Sequence, residues 1–462
     1  MKNTKLFWSY ILLLCLLFSS AAFSFTAKET EQGKQFYQLV KQHLPLMNDP
    51  ISEDYIHQLG LRLVSFSVDR QETFHFFIVK SSEINAFAGP AGYIGINAGL
   101  IIATHNESEL ASVLAHEIAH VLQHHLNRGN DRMKQLVWPS VAAIAAGIAT
   151  GIPAVAAGSL LGVTAGDAQY GINVTRSYEK EADAIGIKLL AKAGFNPNAM
   201  ATFFGDLQTA SRYDASSFPL LQTHPVNQAR IAIAQSRASH YPKKTYHSSQ
   251  DYLLVKARMV AEMSGDPDTL LKQVKNDLDK KPDNVFSQYL YALALADKKM
   301  TTKALALLQL LEEANPLQII FPYTQAEIYL GAKQYKKAVD IIDVTLPYNA
   351  SNYPLVLLYS DALLRNQQPK KAVAFLTKYQ SYFSDRTPYW LAFSQSEADA
   401  GNLAYAHIYR AKAYLLQGDS RNAQVQYHIA LEQKGNTPVS RAIIHAELKK
   451  LKRKEHKHHV QQ

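Results

Sequence analysis

The chain has one cysteine in 462 residues, Cys15, and it lies in an apolar stretch at the N-terminus. Without that stretch there is no thiol. Disulfides, cysteine nucleophiles and thiolate-ligated zinc are then excluded from the mature protein, which needs no oxidant to fold. A second absence is local. No charged residue occurs from Gln135 to Gly166. Gly147, Gly151 and Pro153 interrupt this segment, and its many alanines are only weakly apolar. It reads as two short, closely packed helices that cover a site or rest on a membrane surface, with possible peripheral membrane contact through 137–166. It does not read as a membrane span, which takes about 20 apolar residues.

Lys2 and Lys5 precede an uncharged run from Leu6 to Ala27, and Ala22 and Ser24 occupy small-residue positions. This predicts a signal peptide over 1–24, cut near Ser24. Leu14 before Cys15 is too large for a lipoprotein signal. The net charge of +9 falls by two when Lys2 and Lys5 leave. Part of the excess lies in the tail, ELKKLKRKEHKHHVQQ, and 437–462 reads as a basic helical or disordered end. His456, His458 and His459 belong to that end and are expected to be solvated. An exported chain meets little nucleic acid, so no such partner is expected; an anionic membrane or an acidic partner suits the charge better, and a merely solvated tail better still. With 47% hydrophobic residues, a packed core in two or three domains is expected.

Residues 28–235 read as mixed α/β. Phe74–Val79 (FHFFIV) is a strand by its composition, and Gly-Pro-Ala-Gly between apolar runs in NAFAGPAGYIGINAGLII predicts a hairpin. A linker is expected over 236–250. From 251 to 436 the pattern repeats. Lys303-Ala304, Lys337-Ala338 and Lys371-Ala372 place alanines 34 residues apart twice running, the period of tetratricopeptide repeats. Ala292 and Ala326 precede their marker alanine by 12 residues, and Pro282 and Pro316 are again 34 apart. Ala411, Tyr414, Ala423, Tyr427 and Ala430 form a further unit. The step from Ala372 to Ala423 is 51 residues, one and a half periods, which predicts an extra helix near 388–400. Such repeats stack into a concave surface for peptides or partner proteins.

Within the first region stands His116-Glu117-Ile118-Ala119-His120, in a helix opened by Asn106 with Glu109 at the capping-box position. Residues i and i+4 share a helix face, so His116 and His120 can hold one metal ion while Glu117 reaches a water in its open position. A third ligand decides the matter. Gln123 and Leu126 stand where a metzincin needs Gly and His, so that option fails. His124 continues the line, but three histidines along one helix cannot converge on one ion. Downstream, Glu179 and Asp183 lie one turn apart on a second helix that stops at Gly194 and Pro197. One carboxylate can bind the metal while the other accepts the N–H of a ligating histidine. Two His and one Glu would leave the open position that catalytic zinc requires.

HEIAH followed by Glu179-x-x-Ala182-Asp183 resembles the gluzincin metallopeptidases that include HtpX, Oma and the CAAX-processing proteases. The resemblance implies one zinc per chain, with His116, His120 and Glu179, rather than Glu181, as ligands, and Asp183 supporting a ligand. It implies a substrate-side strand at Asn85-Ala86-Phe87 with Gly92-Tyr93-Ile94, and an active-site loop at Thr223-His224-Pro225 with Arg230 beyond. Gly89-Pro90-Ala91-Gly92 departs from the bulkier residues expected there, which leaves substrate preference open. Glu117 would be the catalytic base, with His224 and Arg230 as candidate oxyanion donors. His224 could instead fill the open metal position and keep the enzyme latent.

The expected fold class is an α+β zinc metalloprotease domain, mostly helical with a small sheet, followed by an all-α tetratricopeptide-repeat solenoid. With an export signal in front and repeats behind, the chain is similar to the periplasmic proteases that assist β-barrel assembly. That implies unfolded or misassembled outer-membrane proteins as substrates, the lipopolysaccharide-transport barrel among them, and docking of the repeats on the β-barrel assembly machinery. The other reading is a repeat-based chaperone or docking module with a latent protease.

Overall fold

A computed structural model describes residues 25–67, 73–125, 165–212, 218–434 and 436–460. The expectations for the signal peptide and for the uncharged segment after Gln135 lie almost wholly outside these residues. Helix α1 (Ala27–His43) begins at a capping box between Thr26 and Glu29, and α2 (Pro50–Val64) at Asp49, whose side chain accepts from the Ser52 N–H. Strands β1 (His75–Val79), β2 (Ala86–Ala88) and β3 (Tyr93–Asn97) follow. The expected hairpin joins β2 to β3 in antiparallel register. Its turn needs Ala91 at φ 52° and Gly92 at φ 77°. β1 pairs with β3 in parallel, so β3 is central and β2 is left as an edge.

Beneath the sheet lie α3 (Ala98–Ala103), α4 (Glu107–Leu122), α5 (Ala165–Lys192), α6 (Ala199–Ala210), α7 (Pro219–Thr223) and α8 (Gln228–Ala238). Their apolar faces close around Leu110, Leu114, Ile118, Ile187 and Leu190, all buried. α4 carries HEIAH and is buried nearly throughout. Asn106 caps it by accepting from the Glu109 N–H, as expected. The Glu109 carboxylate reaches one residue further back than a capping box does, to the His105 N–H. A Cβ at Gly186 of α5 would lie 3.3 Å from the His116 backbone nitrogen. The glycine therefore permits the close approach of α5 to α4 that brings Glu179 and Asp183 to the histidines.

From α9 on the chain is helical: α9 (Gln250–Met263), α10 (Pro267–Lys280), α11 (Val285–Asp297), α12 (Thr301–Ala314), α13 (Ile320–Gly331), α14 (Tyr335–Thr345), α15 (Tyr353–Arg365), α16 (Pro369–Tyr379), α17 (Thr387–Asp399), α18 (Leu403–Leu416), α19 (Ser420–Glu432) and α20 (Pro438–Val460). The 34-residue period is written into the turns. Lys299, Lys333, Gln367 and Gly401 all have positive φ, each 34 residues after the last. Each closes the first helix of a pair with two bonds back to its last turn, as Gln367 and Gln368 do to the carbonyls of Leu364 and Leu363. Small buried residues keep the same step: Ala292, Ala326, Ser360 and Ser394 on first helices, Ala304, Ala338, Ala372 and Ala406 on second helices. The helix expected near 388–400 is present as α17. It is not an insertion, because Ala406 shows that α17 and α18 form a regular pair. The basic end is also more than a tail, since α20 buries Ile444, Leu448 and Leu451 against α18 and α19.

The repeats and the sheet-bearing region are bonded to each other. Glu107, at the start of α4, accepts from the backbone and hydroxyl of Ser249, the N-cap of α9, and the Ser248 hydroxyl accepts from its N–H. The expected linker over 236–250 is thus anchored on the HEIAH helix at its far end. Arg258 of α9 forks onto Asp49. At the other end of the repeats, Gln38 of α1 donates to the Gln417 carbonyl. Among the described residues, no helix is long and apolar enough to cross a membrane.

Candidate active site

α4 and α5 cross so that three candidate ligands meet. His116 Nε2 and His120 Nε2 are 3.0 Å apart. Each lies 3.3 Å from the Glu179 carboxylate, on Oε2 and Oε1 respectively. On its other side, His116 Nδ1 is 3.0 Å from Asp183 Oδ1. Asp183 thus stands at the Nδ1 side of His116, while Nε2 faces the cluster. His224, at the end of α7, brings its Nδ1 to 2.9 Å from Glu179 and 3.2 Å from His116 Nε2. One donor atom from each of His116, His120, Glu179 and His224 lies within 4.8 Å of all the others.

Three further placements concern the rim. Glu117 is fully buried and its carboxylate lies 3.5 Å from His224 Nε2. β2 forms one wall of a cleft of about 170 Å³ lined by Asn85, Phe87, Ala88, Glu117, His120 and His224. Ala86 points the other way, into the core, as strand alternation requires. Among the described residues β2 is an edge strand, and it shares this cleft with Glu117. His124, at the end of α4, lies 3.5 Å from Glu29.

Arg230 joins α5 to the His224 loop. Its Nε and Nη2 fork onto Asp183 at 2.6 and 2.8 Å. Nη2 also reaches Glu179 at 2.8 Å, and Nη1 holds the carbonyls of His224 and Pro225. Four side-chain hydrogen bonds thus go to Asp183 and the two loop carbonyls, and the side chain is buried over the Phe204 ring.

Residues 50–238 match the model of peptidase family M48. Over 399 residues the chain is 33% identical to the beta-barrel assembly-enhancing protease of Escherichia coli (strain K12), covering 85% of this chain and 81% of that one. It is 32% identical over 397 residues to the protease of the same name from Yersinia pestis, with the same coverage. A shorter match, 26% over 183 residues and 38% of this chain, is to mitochondrial metalloendopeptidase OMA1 of Schizosaccharomyces pombe, half of which it covers. The chain belongs to the beta-barrel assembly-enhancing proteases of family M48. It is a metallopeptidase.

The M48 family implies a metal cofactor, and the donor set fits one. Imidazole lone pairs converging on a carboxylate repel one another unless a cation or a proton lies between them. Burial opposes a charge on His116, but bonds to Asp183 and Glu179 raise its pKa to about 9. Burial lowers His120 to about 3 despite Glu179. Burial would raise Glu179 too, yet His224 and the three imidazole bonds hold it well below the ordinary carboxylate range. A buried carboxylate kept ionised beside two His nitrogens is the chemistry of a divalent metal site.

Sequence reasoning passed over one residue of this M48 site. His125 Nδ1 lies 2.8 Å from His120 Nδ1. No short motif marks it, because its position depends on the turn that ends α4.

Proposed function

We propose that this chain is a periplasmic zinc endopeptidase that acts on outer-membrane β-barrel proteins, promoting their assembly or removing misassembled forms. The observation that carries the reading is the four-donor cluster of two His from α4, Glu179 from α5 and His224, with buried Glu117 beside it. Relatives named beta-barrel assembly-enhancing proteases over most of their length supply the substrate class. We assign an export signal to 1–24, the peptidase to 28–235, a linker to 236–250, the repeats to 251–436 and a basic helical end to 437–462. The repeats are the surface for unfolded clients and for the β-barrel assembly machinery.

His116, His120 and Glu179 would hold the zinc, which when bound would supply Lewis-acid chemistry for the scissile carbonyl and lower the pKa of the attacking water. Glu117 takes the proton of the attacking water and passes it to the leaving amine. An extended substrate pairs with the free edge of β2. Asp183 fixes the tautomer of His116, and Arg230 fixes Asp183, Glu179 and the His224 loop together.

His224 is the latch. Its Nδ1 sits with the three ligands, so it competes for the position that substrate or water must occupy. Its loop is held by Arg230 and by the bond from the Leu220 N–H to the Ile84 carbonyl. A client that pulls this loop away opens the site. His224→Ala is expected to raise casein cleavage several-fold at unchanged zinc content. Unchanged or lower cleavage would remove the latch and leave His224 as a substrate-binding residue.

A further inference from the structure

The two histidines of HEIAH are held differently. Behind His116 stands a carboxylate, Asp183, in direct contact. Behind His120 stands another histidine. His125 Nδ1 lies 2.8 Å from His120 Nδ1, and His125 Nε2 lies 3.2 Å from Glu181 Oε2. The His125 ring stacks on Tyr178 with centroids 4.3 Å apart and planes 13° from parallel. Tyr178, Glu179 and Glu181 are near neighbours on α5, so one turn of that helix presents a metal-facing carboxylate, a ring to stack on and the end of a second chain of bonds.

The backbone explains how His125 reaches back. α4 ends with His124 in the left-handed region, at φ 49°. The His124 N–H bonds to the Val121 carbonyl at 2.9 Å, and the His125 N–H to the His120 carbonyl at 3.2 Å. This is the double-bonded helix ending that usually has glycine at the left-handed position. It folds residue 125 over the end of the helix and onto the face of His120.

Protons fit this chain in one order. His120 offers Nε2 to the cluster, so Nδ1 carries its hydrogen and donates to His125 Nδ1. His125 then carries its hydrogen on Nε2 and donates it to Glu181. Both rings stay neutral and every nitrogen has a partner. We propose that His125 and Glu181 form a positioning relay for His120: they fix its tautomer and ring plane for the metal, as Asp183 does for His116. The proposal rests on the reading that His116, His120 and Glu179 hold zinc.

Two substitutions separate relay from packing. His125→Phe keeps a ring to stack on Tyr178 but has no nitrogen. His125→Asn loses the ring but keeps an acceptor where Nδ1 stands. Zinc affinity of the full chain, read by competition with a chromogenic chelator, is expected to fall about 10–100-fold in His125→Phe. His125→Asn is expected to stay closer to the wild type, with circular dichroism unchanged in both. Wild-type affinity in His125→Phe, or a greater loss in His125→Asn than in His125→Phe, would overturn the relay. A wild-type chain that binds no zinc would overturn the ligand assignment beneath it.

Discussion

Glu117→Gln is expected to lower kcat for peptide hydrolysis by about 10²–10⁴-fold, the range for removing a general acid–base group, while zinc content stays at the wild-type level. The separation follows from placement. Glu117 is one residue past His116, so it points off the ligand line and into the cleft with Asn85, Phe87 and His224. Its carboxylate is buried and lies 3.5 Å from His224 Nε2. Gln keeps the shape but cannot take a proton. Single-turnover cleavage of casein, beside metal analysis of the same sample, checks both halves. The variant also separates the two functional readings in cells. Loss of outer-membrane assembly with Glu117→Gln means that hydrolysis matters, and retained assembly means that the repeats carry the function.

Arg258→Ala is expected to cost about 3–5 kcal/mol of stability, the cost of leaving buried charges without their partner. Arg258 lies between the two halves of the molecule. It forks onto Asp49, the N-cap of α2, and onto Glu327 of α13, and it donates to Tyr289 and Thr324. Burial would raise the Asp49 carboxyl, but the Arg258 guanidinium and the Ser52 bonds hold it below its ordinary value. Without the cation, Asp49 and Glu327 face each other. A depressed carboxylate adds stability above its unfolded pKa of about 4 and loses that addition as pH falls through its folded value. The gap between wild type and Arg258→Ala therefore narrows below about pH 4. Urea unfolding at pH 7 and pH 3.5 measures both points. Equal stability at pH 7 would mean that the Arg258 cluster adds nothing to the junction between the repeats and the peptidase.

How far the sequence could be read depended on whether a feature is local. His116 and His120 were legible because helical spacing places them on one face. The Glu179–Asp183 pair was legible as ligand chemistry, and Asp183 lies at the His116 Nδ1 as such a supporting carboxylate should. The hairpin was legible from its turn, but the parallel pairing of β1 with β3 joins segments that no local pattern links. The repeats were read from alanines. The period was lost after Ala372 because Tyr405 replaces the lysine before Ala406 and Ser360 and Ser394 replace alanine on the first helices. Each is small enough for close helix contact, and the Ser394 hydroxyl is satisfied by the Ala406 carbonyl. His125 escaped because its place is set by a left-handed turn at His124, where the sequence has no glycine to signal one. The bracing contacts of Arg230 were not legible, because they appear only when Asp183, Glu179 and the His224 loop are assembled around it.

The most direct test is the metal content of the purified mature chain by mass spectrometry, measured beside its Glu179→Gln variant. One zinc per wild-type chain is expected, with loss or marked weakening of zinc in the variant, because Glu179 closes the site between the α4 histidines and His224. Wild-type protein without zinc, or a variant that keeps it unchanged, would contradict the assignment of His116, His120 and Glu179 as one metal centre.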